Sequence, residues 1–394
     1  MTRLATSWLV YHISHSAWML GFVGFLGQIP ATLLGPISGV IVDRFDRHKL
    51  LVITQALALV QSAALAALTF AHLINIPEII GLSIFQGIIN SLDMPARQSF
   101  VIQMVEKKED LSNAIALNSS LVNAGRLLGP SIGGVIIAAA GEGWCFLIDA
   151  ISYIAVIVSL LLMTIKPKVE PAKGTRPAPI QQLVEGWRYV SGYAPIRTIL
   201  LLLAVVSLVG TPYTVLMPVM ASGILHGGPD TLGLMMAAVG VGALFGALYL
   251  ASRKTVLGLV GVIPKMSFLF GAGLILFAFS HWIWLSMIVL ILTGFGFMVQ
   301  MAASNTVLQT IVEEEKRGRV MSFYTLALMG TLPFGSLLAG SLAEHIGAPR
   351  TLAFGGVALI VAGLIFTQRL PNLRRTLRPL YVQLGILPAP VIES

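Results

Sequence analysis

Apolar residues in this chain come in long unbroken runs, separated by short charged or glycine- and proline-bearing segments. The runs lie at about 17–42, 50–70, 77–96, 113–140, 144–164, 198–222, 230–252, 263–280, 283–304, 320–343 and 352–369. Each is close to the ~20 residues that a bilayer-crossing helix needs, so eleven full membrane spans are predicted. Residues 4–13 form a twelfth run, which at ~1.5 Å per residue reaches about half of a ~30 Å hydrocarbon core. Its flank holds one Arg and no small-x-small cleavage site precedes the next span, so it reads as the second half of a first helix rather than a secretory signal.

Composition agrees. Charged residues make up 11% of the chain and apolar ones 56%, against roughly 25% and 45–50% in soluble domains. The net charge of +8 does not point to nucleic acid, because the basic residues are spread between apolar runs without an aromatic-interleaved patch. Cys145 stands alone, which excludes an internal disulfide.

The basic residues also assign sides, since short cytoplasmic loops carry the Lys and Arg excess. Alternate loops hold Arg44, Arg47 and Lys49; Arg97, Lys107 and Lys108; Lys166 to Arg197; Arg253, Lys254 and Lys265; Lys316, Arg317 and Arg319; and the tail from Arg369 to Arg378. The opposite loops hold only Arg350. The charged loops and the C-terminus are therefore expected in the cytoplasm of a multi-pass cell (inner or plasma) membrane protein. Eleven spans then put the N-terminus outside, and a complete first helix brings it back inside.

The longest polar segment divides the chain into an N-terminal bundle at 1–164, a linker at 165–197, a C-terminal bundle at 198–370 and a tail at 371–394. Within the linker, Ile180, Leu183, Val184, Trp187 and Val190 repeat at helical spacing after a proline-bearing stretch. That stripe suits a helix lying on the membrane surface; docking to a partner is the alternative. A shift of 206 residues places Val101 on Val307, Gln103 on Gln309, Gly129 on Gly335 and Gly134 on Gly340. Duplicated halves are the expectation, as in transporters whose parallel repeats flank a midplane site.

Two motifs carry candidate function. In the first, Gly35-Pro36-Ile37-Ser38-Gly39-Val40-Ile41-Val42-Asp43-Arg44-Phe45-Asp46-Arg47-His48-Lys49, charges interrupt two apolar runs and make a tight turn. Gly35 and Gly39 share a helix face and would admit a neighbouring backbone. The spacing Gly-x-x-x-Asp-Arg-x-x-Arg-x-Lys resembles the loop between helices 2 and 3 of major facilitator transporters, with Asp46 where that family usually has Gly. The second is Gly125-Arg126-Leu127-Leu128-Gly129-Pro130-Ser131-Ile132-Gly133-Gly134. Gly125, Gly129 and Gly133 form a smooth groove, and Pro130 bends the helix. It resembles the fifth-helix motif of drug and metabolite antiporters, with Ala116 at the upstream glycine. Glycine-rich packing without an export role is the plainer reading of the same residues.

With these motifs, residues 1 to about 370 resemble the drug:proton antiporter branch that includes the enterobactin exporter and macrolide efflux proteins. The stretches around Asp93-Met94-Pro95-Ala96-Arg97 and Arg317-Gly318-Arg319 are similar to that branch too. The resemblance implies two pseudo-symmetric six-helix bundles, all α and membrane-embedded. It further implies that Gly39, Asp43, Arg44, Arg47, Asp93 and Arg97 form a cytoplasmic charge relay, with Asp43, Arg47 and Asp93 latching the outward-open state. Because that family has a full first helix, ~20–25 residues are expected upstream of Met1. One motif departs: Gln86-Gly87 is present, but Ser83 stands where helix 4 normally carries a functional Arg.

Charges inside a bilayer are expensive and usually functional. Arg126 falls near mid-depth and Asp149 about five residues in from the outer face, roughly 13 Å apart in depth. Both are candidates for coupling or substrate binding, with an interfacial, wetted carboxylate as the other reading of Asp149. Asn90, Asn118 and Asn123 either line a cavity or bond helices together. No nucleotide-binding loop, zinc motif or serine elbow occurs, so no enzyme chemistry, metal or cofactor is called for. Gly240, Gly242 and Gly246 lie inside an apolar span at the wrong spacing for a dinucleotide fingerprint. The combined reading is a monomeric secondary exporter, whose partners are the bilayer, a small amphipathic substrate and protons. An importer of the same fold and a non-transporting membrane scaffold or sensor are the alternatives.

Overall fold

A computed structural model describes residues 1–105, 110–163, 179–253, 255–383 and 387; inside its helices the side chains of residues 36, 40, 43, 102, 111, 112, 115, 116, 119, 120, 122, 123, 126, 127 and 179–184 are not described. The described residues hold helices and no strands: α1 (Thr2–Ser14), α2 (Ala17–Arg44), α3 (Arg47–Phe70), α4 (Ile76–Met104), α5 (Leu111–Ala140), α6 (Glu142–Leu162), α7 (Pro179–Gly192), α8 (Ala194–Val205), α9 (Tyr213–Val219), α10 (Pro229–Ala251), α11 (Leu259–Ala278), α12 (Ile283–Ile311), α13 (Glu314–Thr325), α14 (Leu332–Ile346) and α15 (Ala348–Gln383). Every predicted span falls on a helix. Among the described residues ten helical segments are long and apolar enough to cross a membrane, and α5 adds a 30-residue helix with an apolar stretch at Leu128–Ala140.

Local chemistry sets the ends of these helices. Ser16 caps α2 by accepting from the Met19 N–H at 3.2 Å. Asp46 caps α3 by accepting from the His48 and Lys49 N–H groups at 2.9 and 3.1 Å. This gives a physical use to the residue that departs from the family pattern, because a glycine there leaves two N–H groups without that acceptor. Gly141, with φ 93°, makes the one-residue joint between α5 and α6, a conformation costly for other residues.

Short π-helical turns at Val206–Gly210 and Leu326–Gly330 interrupt two spans of the second half. Such turns release carbonyls from the regular ladder, and in a membrane a freed carbonyl needs a partner. The Ser207 hydroxyl supplies one by donating to the Leu328 carbonyl.

The chain forms two compact units that do not coincide with its sequence halves. The first contains 1–176 together with 214–237 and 336–348; the second contains 177–213, 238–335 and 349–394. In the first, α2 packs on α4, and α3 on α4 and α6, while α1 touches α2, α4, α5 and α6. A cluster of Val42, Leu50, Leu51, Ala96, Phe100 and Leu160 lies beneath the charged turn at 43–49. In the second unit, α11 packs along α12, and the Ser267 hydroxyl donates to the Leu359 carbonyl at 3.1 Å. Trp18, Trp144, Trp282 and Trp284 are exposed, all at helix ends away from the charged loops. Exposed tryptophans at helix ends suit the membrane–water interface.

The linker stripe resolves into a docked helix. α7 lies on α13 within the second unit, with Glu185 and Arg319 paired at 3.0 Å, the Trp187 and Phe323 rings 6.2 Å apart, and the Lys316 ammonium 4.8 Å from the Tyr189 ring centre. Trp187 is largely exposed and Val190 buried; the Ile180, Leu183 and Val184 side chains lie outside the described residues. At the other end of the second half, α15 continues past the expected bundle limit at 370 and stays helical to Gln383.

Candidate functional site

Two places in the first unit gather the predicted residues. At the charged-loop end, Asp93 of α4 is buried, with 9% of its surface exposed. Its carboxylate accepts from the Thr54 hydroxyl at 3.0 Å and the Gln55 amide at 2.6 Å, both on α3, and from Arg97 at 2.8 Å one turn along α4. A buried carboxylate is tolerable only with such partners, and here three donors surround it. The neighbouring His48 ring lies 2.7 Å from the Leu160 carbonyl and stacks near Phe100, which ties α3 to α6 and α4.

The structure thus joins Asp93 to Arg97. Arg44 ends α2 and is exposed, and Arg47 begins α3. Asp43 sits in the last turn of α2, but its side chain lies outside the described residues. The close backbone approach expected at Gly35 and Gly39 is not found, because a Cβ at either would meet nothing within 4 Å. α2 approaches α4 elsewhere: a Cβ at Gly87 would lie 2.5 Å from the Gly27 carbonyl oxygen, and one at Gly27 would lie 3.5 Å from Ser83 Cβ. Ser83 therefore stands on the α2 crossing.

At the opposite end, two glycine pairs bring second-half segments against the first bundle. A Cβ at Gly134 of α5 would lie 2.6 Å from the Pro229 carbonyl oxygen and 2.8 Å from Gly233 Cα, and one at Gly233 of α10 would lie 2.9 Å from the Pro130 oxygen. The second pair repeats this: a Cβ at Gly340 of α14 would lie 2.7 Å from Gly21 Cα of α2, and one at Gly21 would lie 2.5 Å from the Ser336 oxygen. Gly134 and Gly340 are the residues that the 206-residue shift superposes, so the duplication appears as two equivalent crossings. Beside the second, Glu344 accepts from the Ser16 hydroxyl and the Trp18 N–H, both at 3.0 Å, placing a carboxylate on the N-terminus of α2.

The other motif glycines divide. Gly125 faces open space, whereas Gly129 and Gly133 are in ordinary contact with Met1. The expected groove at Gly125, Gly129 and Gly133 is therefore not where α5 packs most closely; Pro130 and Gly134 are. Asp149 of α6 accepts from the Ser62 hydroxyl of α3 at 2.9 Å and is half-buried. Asn90 accepts from Gln86 at 3.1 Å one turn away, and Asn118 is exposed. The side chains of Arg126 and Asn123 lie outside the described residues. Sequence reasoning missed Thr54, Gln55, Ser16 and Glu344, for which short-range spacing carries no signal; of the outer pairs, Gly134 was signalled by the motif and the repeat and Gly340 by the repeat, whereas Gly21 and Gly233 carried no signal.

A family model described as transmembrane secretion effector matches residues 1–381. The chain belongs to that family. It is a multi-pass membrane transporter of the major facilitator superfamily, not an enzyme. This transporter is similar to the staphyloferrin A transporter of Staphylococcus aureus, with 28% identity over 92% of this chain and 90% of that protein. It is also similar to the multidrug efflux pump Tap of Mycolicibacterium fortuitum, with 26% identity over 96% and 94%, and to the enterobactin exporter EntS of Citrobacter koseri, with 26% identity over 93% and 87%. Its fold matches the crystal structure of a bacterial homologue of the human lysosomal transporter Spinster in an inward-facing, unoccupied conformation. The TM-score is 0.71 at 14% identity, covering 95% of each chain.

Proposed function

We propose that this transporter exports an amphipathic organic compound of the siderophore or drug class by alternating access, in exchange for protons. The observation that carries the reading is the pair of glycine crossings, Gly134 on Gly233 and Gly21 on Gly340, by which outer segments of one sequence half meet helices of the other. Contacts of this kind have to part and re-form if a substrate leaves at that end. The export direction rests on relatives whose names describe an exporter and an efflux pump. The Lys and Arg asymmetry supports a C-terminus in the cytoplasm of a cell membrane.

In this reading Asp93 and Arg97 belong, with Gly39, Asp43, Arg44 and Arg47, to a cytoplasmic relay that steadies one state of the cycle. Arg126 meets substrate or a proton-carrying carboxylate, because a mid-bilayer cation costs at least ~2.5–3.5 kcal/mol unless water, a counter-charge or a ligand meets it. Asp149 and the amides Asn90, Asn118 and Asn123 are secondary candidates. The protein works as a monomer. Inside-out vesicles with imposed pH gradients, offered siderophores, macrolides and cationic dyes, test the reading. Gradient-driven uptake of one of them is expected, abolished by Arg126→Ala, partly kept by Arg126→Lys, with Asp149→Asn altering the pH dependence more weakly. Uptake indifferent to the gradient would remove proton exchange, and absence of uptake across the panel would favour the scaffold alternative.

A further inference from the structure

The last helix extends beyond the expected limit of the bundle. Beyond residue 370, α15 runs on through Pro371 and Pro379, and its Leu373, Leu377 and Tyr381 side chains, spaced four apart, are buried against the second unit. On the adjoining face Arg374 and Arg378, also four apart, remain exposed and line a cavity of about 300 Å³ between this extension and the start of α11. Among the described residues the cavity contains no acidic side chain, and neither arginine is paired with a carboxylate.

Three details make this a built site rather than a basic surface. Gly261 leaves room for the Arg374 guanidinium, since a Cβ there would lie 2.8 Å from its Nη2. Gly258, with φ 81°, begins α11 without a side-chain cap, so the positive end of that helix faces the same region. Tyr381, only 7% exposed, lines the cavity, and its hydroxyl is buried without a hydrogen-bond partner. A buried hydroxyl left unpaired costs free energy that a ligand oxygen recovers. The remaining walls include Leu377 and Val260, which offer nothing to a free ion but suit the glycerol backbone and first methylenes of a lipid.

We propose that this cavity binds the headgroup of an anionic phospholipid, with the phosphate between Arg374 and Arg378 and an ester or glycerol oxygen on Tyr381. Basic pockets beside membrane helices favour such headgroups, and paired guanidinium groups match phosphate geometry. Native mass spectrometry of the purified full chain, with phosphatidylglycerol titrated against phosphatidylcholine, tests it. Wild type retains phosphatidylglycerol, and the R374Q/R378Q variant is expected to bind it at least about tenfold more weakly. Arg375 is exposed but does not line the cavity, so R375Q should bind like wild type. Equal binding by R374Q/R378Q, or equal loss in R375Q, overturns the site. Displacement of the lipid by millimolar inorganic phosphate or glycerol 3-phosphate overturns the lipid assignment. If R374Q/R378Q melts lower in phosphatidylcholine alone, Tyr381→Phe takes its place; it must weaken phosphatidylglycerol binding, and unchanged binding overturns the proposal.

Discussion

Adding one methyl group at Gly134 tests whether the outer glycine crossings matter to the cycle. The nearest atoms to that methyl are backbone, 2.6 Å (Pro229 O) and 2.8 Å (Gly233 Cα) away, and ordinary contact begins at 3.4 Å, so α5 and α10 must separate by roughly 0.6–0.8 Å. No rotamer change relieves such a clash. Overpacking of this kind costs about 1–3 kcal/mol, while replacing a helical glycine with alanine returns about 0.5–1 kcal/mol. That helix gain is present whether the outer ends are joined or parted and cancels, so the joined arrangement should lose about 1–3 kcal/mol relative to the parted one, a shift of roughly 5- to 150-fold in that equilibrium. Gly125→Ala is the matched control, because its methyl enters open space and only the helix gain remains.

Spin labels at the exposed positions Leu73 and Leu234, both within the first unit, read the separation directly. Gly134→Ala should add a longer-distance population and change vesicle transport, and Gly340→Ala should do the same at the equivalent crossing. Gly125→Ala should leave both readouts as in wild type. The reasoning fails if Gly134→Ala leaves the distances and transport unchanged, or if Gly125→Ala shifts them equally.

Asp93→Asn removes the charge that Arg97 faces and leaves one acceptor for three donors; with Arg97 half exposed, a loss of about 1–3 kcal/mol is expected, read as a lower melting temperature with impaired transport at near-normal expression. Glu344→Gln keeps a hydrogen-bond acceptor but loses the charge at the α2 N-terminus. The expected effect is below about 1 kcal/mol, seen as a small gain in the parted population of the same spin-label pair. Ser83→Arg restores the family residue into the α2 crossing and should lower the melting temperature without improving gradient-driven uptake; a stable variant with faster uptake would show that position 83 can reach the transport path.

Span number was legible in the sequence because the length of an apolar run nearly suffices to define a membrane helix; helix neighbours were not, because nothing local says which helix a glycine will face. Gly134 illustrates both. The motif named it, yet its i, i+4, i+8 spacing drew attention to Gly125, Gly129 and Gly133, while α10 crosses on the Gly134 side. Asp93 was legible through the resemblance, as the helix-4 member of a cytoplasmic charge relay, but Thr54 and Gln55 lie thirty-nine and thirty-eight residues away on α3 and are ordinary residues for a buried helix. The amphipathic stripe of α7 was legible as a helix, whereas its seat on α13 depends on Glu185, Tyr189 and Trp187 meeting Arg319, Lys316 and Phe323.

The two ends of the first unit are held by different physics. Around Asp93, a buried charge is surrounded by three donors, and separating them strands a carboxylate in a poorly hydrated place; that arrangement is either complete or costly. At the other end, glycine lies on glycine. Such contacts bring backbone against backbone and supply dispersion over a small area, so the glycines themselves offer no rotamer that has to change on parting, and the Glu344 tie to Ser16 and Trp18 is exposed and can be taken over by water. A bulkier residue at either crossing would add an obstacle to rejoining and no new hold. In the proposed cycle the small residues are thus the feature that would let this joint open and close at little cost, whereas the Asp93 cluster would keep α3 and α4 together meanwhile.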